Sequence, residues 1–291
     1  MLEAKKTLIS EEKIANVTFM FLGVINIGFV FMICIYLLIA GLPGIFKIGF
    51  TDFIFGTQWA STASDPKFGI LPFILTSILG TCGAIIIGLP LGLFSAVYLA
   101  RFASKKAYNI MVPMIDLLAG IPSVVYGFIG MLVLVPLIQR IFDLPDGSGL
   151  LASIVVLAVM ILPSIVKVSV NAIESVPHEY ELGSLALGAN DIETTFKVIV
   201  PAARSGIAAA VVLGVGRALG EAMAVMMVSG NAANMPSLFE SVRFLTTAVA
   251  SEMSYSSGLQ REALFSIALV LFFFIMIINA VLNLCFKGRR K

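Results

Sequence analysis

Arg217 and Glu221 stand four residues apart inside the apolar run 206–229. On one continuous helix that spacing puts both side chains on one face. A guanidinium presents a planar fork of N–H donors that fits a tetrahedral oxyanion through two parallel hydrogen bonds. A charge at the centre of a bilayer costs about 2.5 to 3.5 kcal/mol on insertion scales. The two groups therefore form either a self-neutralising pair that fixes helix packing or a pair that lines water. In the second case an anion competes with Glu221 for Arg217. Gly216 and Gly220 flank the arginine in a GxxxG arrangement. That spacing reads as close packing of a neighbouring helix, with close backbone approach to an anion as the alternative.

A second polar interruption is Gly120-Ile-Pro122-Ser123-Val-Val-Tyr126-Gly127. Proline removes a backbone donor and kinks a helix. Backbone groups freed at membrane depth must be buried in protein or line water. Ser123 and Tyr126 are then either neutral donors along a pathway or parts of a packing kink, and Gly120, Pro122 and Gly127 are candidates for a gate or kink. Asp116, just after Pro113, is either a dipole partner for a first turn or one half of an ion pair at an inner gate. Lys167 near the end of another apolar run has the length to snorkel.

These residues need long apolar elements to hold them. Of 291 residues 59% are hydrophobic and 12% charged, and mean hydropathy is +1.04. A soluble domain carries about 25% charge, so composition alone makes this an integral membrane protein. A net charge of +2 gives no field for nucleic acid. A helical span needs about 20 apolar residues. Six runs qualify, at 17–40, 71–100, 109–138, 149–171, 206–229 and 262–286. The fold expected is all-α and polytopic, with a short segment 1–16 before the first span and a basic tail at 287–291. The first run is too long for a cleaved signal core, so it reads as a retained span.

Orientation follows from Lys and Arg. With both termini in the cytoplasm, twelve cations fall inside (Lys5, Lys6, Lys13, Arg101, Lys105, Lys106, Lys197, Arg204, Lys287, Arg289, Arg290, Lys291). Five fall outside (Lys47, Lys67, Arg140, Arg243, Arg261). The outside loops are then 41–70, 139–148 and 230–261, with Trp59 read as part of an interfacial aromatic belt. Cys34, Cys82 and Cys285 sit in apolar runs without CxxC spacing and read as small core residues, not metal ligands or disulfides. His178 is the single histidine, which excludes a multi-histidine metal centre.

The segment 172–205 is a polar insert between two spans. Pro177 is placed to begin a helix, with Glu179 and Glu181 near its positive end. Gly188 suits a left-handed end to that helix. A second short helix is expected over Asp191 to Val200, stopped by Pro201. Small residues at the corner permit docking of another protein; a connector lying on the membrane surface is the other reading.

The insert resembles the cytoplasmic EAA loop of ABC importer permeases, roughly E-A-A-x3-G-x9-I-x-L-P. Gly188 lies thirteen residues before Pro201, as in that pattern, and Val198 and Val200 take the aliphatic positions. Leu182, Gly183 and Ser184 stand where Glu-Ala-Ala belongs, with Glu181 one place early. FGILPFILTSILGT, LLAGIPSVVYGFIG and GRALGEAMAVMMVSGN are similar to the phosphate-specific branch, PstC-type, over nearly the whole chain from about residue 14.

The resemblance implies a type I importer permease fold and one half of a pore for inorganic phosphate. Arg217, Glu221, Ser123 and Tyr126 would then lie on its pathway. It implies a PstA-type second permease, a phosphate-binding protein and two ATPase subunits that grip Glu181, Gly183, Ser184, Ala186, Gly188, Ala189 and Pro201. Its setting would be the plasma (inner) membrane of a prokaryote. No GxxxxGK[ST] loop, HExxH or GxSxG occurs, so ATP and Mg belong to the partner and no catalytic residue is expected here. Permeation of another oxyanion (molybdate, sulfate, phosphonate), or a non-ABC channel or scaffold, are the competing readings.

Overall fold

The structure, a computed structural model, describes the backbone of residues 2–287 and the side chains of residues 15–284. The side chains of Lys5, Lys6, Lys13 and Cys285, and the tail cations at 288–291, lie outside them. Five helices are long and apolar enough to cross a membrane: Ala15–Ile48, Leu71–Phe102, Ser123–Phe142, Leu150–Glu174 and Gly258–Leu284. A sixth arises from Asp191–Ala202 and Arg204–Gly220, which are bent by 68°.

The most deeply buried span is α7 (Leu150–Glu174). Lipid tails are as apolar as leucine, so helices associate there by close fit and not by water exclusion. The fit is visible where α3 (Leu71–Val97) crosses α7. A Cβ at Gly83, Gly88 or Gly92 would run into Ile154, Ile161 or Ile165 respectively, so three isoleucines fill glycine notches. α7 also receives α11 (Arg204–Gly220), with Gly206 against Ala172 and Gly214 against Ile165. The first helix, α1 (Leu2–Ile48), buries almost nothing over Ala15–Ile48 and lies along the last helix. There Ser266 Oγ donates to the Gly41 carbonyl at 2.6 Å.

Two expected spans are broken. The run 109–138 divides into α4 (Lys105–Gly120), α5 (Ser123–Ile129) and α6 (Val135–Phe142), the last two joined by a wide π turn. Pro122 cannot donate a backbone bond, and Ile121 before it is extended. Only the Ser123–Phe142 part is of spanning length. The run 206–229 divides into α11 and α12 (Met223–Val228) at Glu221, whose ψ is 128°.

The expected outside loops are also more ordered than their composition suggests. Residues 41–70 hold the end of α1, α2 (Phe50–Phe55) and a two-stranded hairpin, Trp59–Ala60 against Lys67–Phe68. Trp59 is half-buried: its ring packs on Phe68 and Phe73, and Nε1 donates to Glu252 at 3.3 Å. Glu252 also takes Arg243 and Gln260, which closes a polar latch over this end. Residues 230–261 contain α13 (Leu245–Glu252), whose Leu245, Thr247 and Ala248 are fully buried. Cys34 is half-buried and Cys82 is exposed on α3, so Cys82 is not the core residue expected.

The glycine roles also differ from expectation. A Cβ at Gly127 would meet the Ala224 Cα at 2.7 Å, so this glycine is where α5 and α12 touch. Gly120, Gly216 and Gly220 have nothing within 4 Å of such an atom. The packing glycine is therefore Gly127, and the GxxxG pair packs against nothing within the described residues. We expect Gly127→Val to cost about 1–3 kcal/mol by overpacking against backbone. Gly216→Ala should stay within about 0.5 kcal/mol. Unfolding of the purified chain in mixed micelles reads both; equal losses would contradict the packing.

Candidate functional site

The site begins at two helix breaks that adjoin. α5 starts after Pro122, α12 starts after Glu221, and Gly127 brings the two helices together. Each break frees a carbonyl, and each is answered by a side chain. Tyr126 Oη donates to Leu118 O at 2.7 Å, back across the first break. Thr246 Oγ1 of α13 donates to Glu221 O at 2.8 Å across the second. Tyr126 thus stitches its own kink, and α13 has a purpose: it supplies the partner that lipid cannot.

Arg217 sits in the last turn of α11, half-buried. Its Nη1 donates to Ser164 Oγ of α7 at 2.9 Å. No ion pair joins it to Glu221 among the described residues. Because Glu221 is extended, the four-residue spacing no longer implies a shared face. Glu221 instead accepts from Ala224 N at 3.0 Å and caps the start of α12. The self-neutralising pair is therefore not formed. One hydrogen bond to a hydroxyl leaves the rest of the fork available. Tyr126 lies within electrostatic range of Arg217, and Ser123 is half-buried at the start of the same short helix. Ser164 was not legible in the sequence: one serine in an apolar run carries no signal until α11 is laid against it.

Asp116 lies near the end of α4, not in its first turn, and Lys167 Nζ donates to its Oδ1 at 2.7 Å. The first-turn dipole reading falls, and an ion pair forms instead.

The insert forms a second site. Pro177 precedes α8 (His178–Ala186), and Gly188 at φ +90° turns the chain as expected. Asn190 and Glu193 cap α9 (Asp191–Thr194) reciprocally. A π turn follows, and then α10 (Val200–Ala202). Pro201 does not stop this helix. It occupies the first positions of α10, where a missing N–H costs little, and the 68° bend falls after it. Ser184 Oγ and Thr194 Oγ1, 2.9 Å apart, pin the corner. A concavity of about 520 Å³ opens there, lined by Tyr180, Gly183, Ser184, Leu187, Ala189 and Lys197 among others. Leu187 is 91% exposed, and Tyr180, Leu182, Ala186 and Ile192 are exposed around it.

Glu181 faces inward instead. It pairs with Arg101, at the end of the second span, and with His178 Nδ1 at 3.0 Å. The Arg101 hydrogen bond holds its carboxyl below the ordinary value of 4.5, against the opposing effect of burial. A lowered native pKa means the stabilisation is complete above 4.5 and is lost as pH falls through the lowered value. We expect Arg101→Gln to raise amide exchange across residues 178–186 about tenfold at neutral pH. The parent should approach the variant only under acid. An unchanged exchange rate would show that the pair does not hold α8.

Residues 88–290 match the family model described as the binding-protein-dependent transport system inner membrane component. A probable ABC transporter permease protein YqgH of Bacillus subtilis is 41% identical over 268 residues, 89% of this chain and 85% of that protein. The phosphate transport system permease protein PstC of Pasteurella multocida is 31% identical, covering 87% and 88%. In the crystal structure of a bacterial ABC transporter involved in alginate import, one chain superposes with a TM-score of 0.60 at 14% identity, over 86% of this chain and 94% of that one. Broken spans, a polar elbow with an exposed apolar corner and these likenesses agree: the chain belongs to the family of inner-membrane permeases of binding-protein-dependent transport systems.

Proposed function

We propose that this permease forms half of the translocation route of an ATP-driven phosphate importer. The observation that carries the reading is Arg217: a guanidinium beside a helix break, within a membrane span, held by one hydroxyl and, among the described residues, neutralised by no carboxylate. Such a fork offers an oxyanion a weak, brief site, and Ser164 fixes its aim. Several relatives bear the name phosphate transport system permease, which favours phosphate among the oxyanions.

Both termini lie in the cytoplasm, as the distribution of Lys and Arg argues. The corner at 180–198 then faces the cytoplasm and receives one of two ATPase subunits, whose ATP and Mg drive the cycle. Closure of the ATPases pushes α8 as a rigid body, and Arg101–Glu181 passes the push to the second span. A phosphate-binding protein delivers substrate at the opposite end, and a PstA-type chain completes the pore.

Reconstitution with these partners and measurement of labelled phosphate uptake test the reading. ATP-dependent uptake that excess sulfate or molybdate leaves unchanged supports it. Uptake blocked by one of those ions would reassign the substrate, and uptake without ATP would overturn the coupling.

A further inference from the structure

α7 carries a polar stripe. Ser164, Lys167, Asn171 and Glu174 fall within an arc of about 80° at 3.6 residues per turn. Ser164 holds Arg217. Three residues on, about 4.5 Å along the axis, is Lys167, bonded to Asp116 of α4. Asn171 is exposed, and Glu174 accepts from Tyr108 of α4 at 3.4 Å. A small cavity of about 70 Å³ between the two helices touches Tyr108, Asp116, Lys167 and Asn171. Asp116 also borders an open concavity of about 710 Å³ at the Gly120–Pro122 break. The stripe thus runs from the Arg217 level to the end of α7 that leads into the insert.

The Lys167 and Asp116 side chains are 59% and 46% exposed, yet Lys167 belongs to a helix of spanning length. A half-exposed ion pair against hydrocarbon is expensive, so this surface faces water or polar protein. Pairing also leaves Lys167 with donors to spare, since an ammonium has three.

We propose that Lys167 is a second anion foothold, one helical turn along α7 from the Ser164 that holds Arg217, and that Asp116 neutralises it between passages. This rests on the oxyanion reading given above. An anion leaving Arg217 in the direction of Glu174 meets carboxylates at positions 116 and 174, and Lys167 beside Asp116 offsets their repulsion there. Asp116 in turn competes with the anion for Lys167 and prevents it from being trapped. The pair makes each step short and each binding reversible.

The test uses the reconstituted complex, with labelled phosphate uptake and ATP hydrolysis read together. Lys167→Gln is expected to lower uptake about tenfold or more while the ATPase still co-purifies and hydrolyses ATP. Lys167→Arg, which keeps the cation, should recover most of it. The decisive variant is the double neutralisation Lys167→Gln with Asp116→Asn. If the pair is only a staple between α4 and α7, removing both charges relieves the unpaired carboxylate and uptake returns. If Lys167 holds the anion, the double variant stays as low as Lys167→Gln. Recovery in the double variant, or full uptake by Lys167→Gln, overturns the proposal. A parallel Arg217→Gln arm separates the two ideas: if it alone loses uptake, the mid-span site survives and the second foothold falls. Should the parent complex carry a different oxyanion, the same arms are read with that ion and decide in the same way.

Discussion

Arg217→Gln is expected to abolish uptake, by at least about 100-fold, while the subunit still assembles with its partners. On the proposed route two charge-assisted hydrogen bonds from one fork to the anion would be lost together, worth about 3 kcal/mol or more. Assembly should survive because, among the described residues, Arg217 is tied within its own chain by one bond, to Ser164 Oγ. That bond is charge-assisted and its loss costs about 1.5–3 kcal/mol, less where the glutamine amide replaces the donor. Arg217→Lys should fall between, since an ammonium keeps the charge and loses the fork. Ser164→Ala should weaken uptake less than either, because the hydroxyl aims the guanidinium without replacing it. Glu221→Gln keeps an acceptor for the Ala224 N–H and therefore should be mild. Had Arg217 and Glu221 formed a packing pair, the two neutralisations would match in effect. Normal labelled-phosphate uptake by Arg217→Gln would falsify the assignment of this residue to the route.

Leu187→Gln should release the ATPase. Leu187 is 91% exposed at the end of α8, on the rim of the concavity between the two arms of the insert. An apolar side chain so fully presented to solvent is ordinary singly, but here Tyr180, Leu182 and Ile192 are exposed with it. Anchors buried at the centre of an interface cost about 2 kcal/mol or more on truncation, which is roughly 30-fold in affinity. The fold of the subunit should not change, since so exposed a side chain has little burial to lose. Co-purification of the ATPase in mild detergent, with monodispersity as the fold control, reads the outcome. Undiminished co-purification would move the docking surface elsewhere on the insert. By contrast, Glu181 pairs with Arg101 at the end of the second span.

Length and apolarity were enough to place Leu71–Phe102, Leu150–Glu174 and Gly258–Leu284 within a few residues, because a bilayer demands a long apolar run and little else. Local backbone chemistry was equally legible in the insert. Pro177 opens α8 and Gly188 turns after it for reasons confined to a few neighbouring residues. α13 was not legible: eight residues with threonines and a glutamate look like a loop until Ser77 Oγ accepts its first N–H and Glu221 offers it a carbonyl. Gly127 packs and Gly216 meets nothing within the described residues for a similar cause, since a glycine's use depends on what approaches it.

The sequence by itself determined a membrane-spanning helical chain, the positions of its charged residues and the turns at Pro177 and Gly188 of its polar insert. Each follows from composition or from contacts within one turn. Tertiary structure alone decided that Arg217 bonds Ser164 and not Glu221, and that Lys167 bonds Asp116. The first pairing spans 53 residues and the second 51, and a single extended residue at Glu221 was enough to undo the helical spacing on which the local pairing depended.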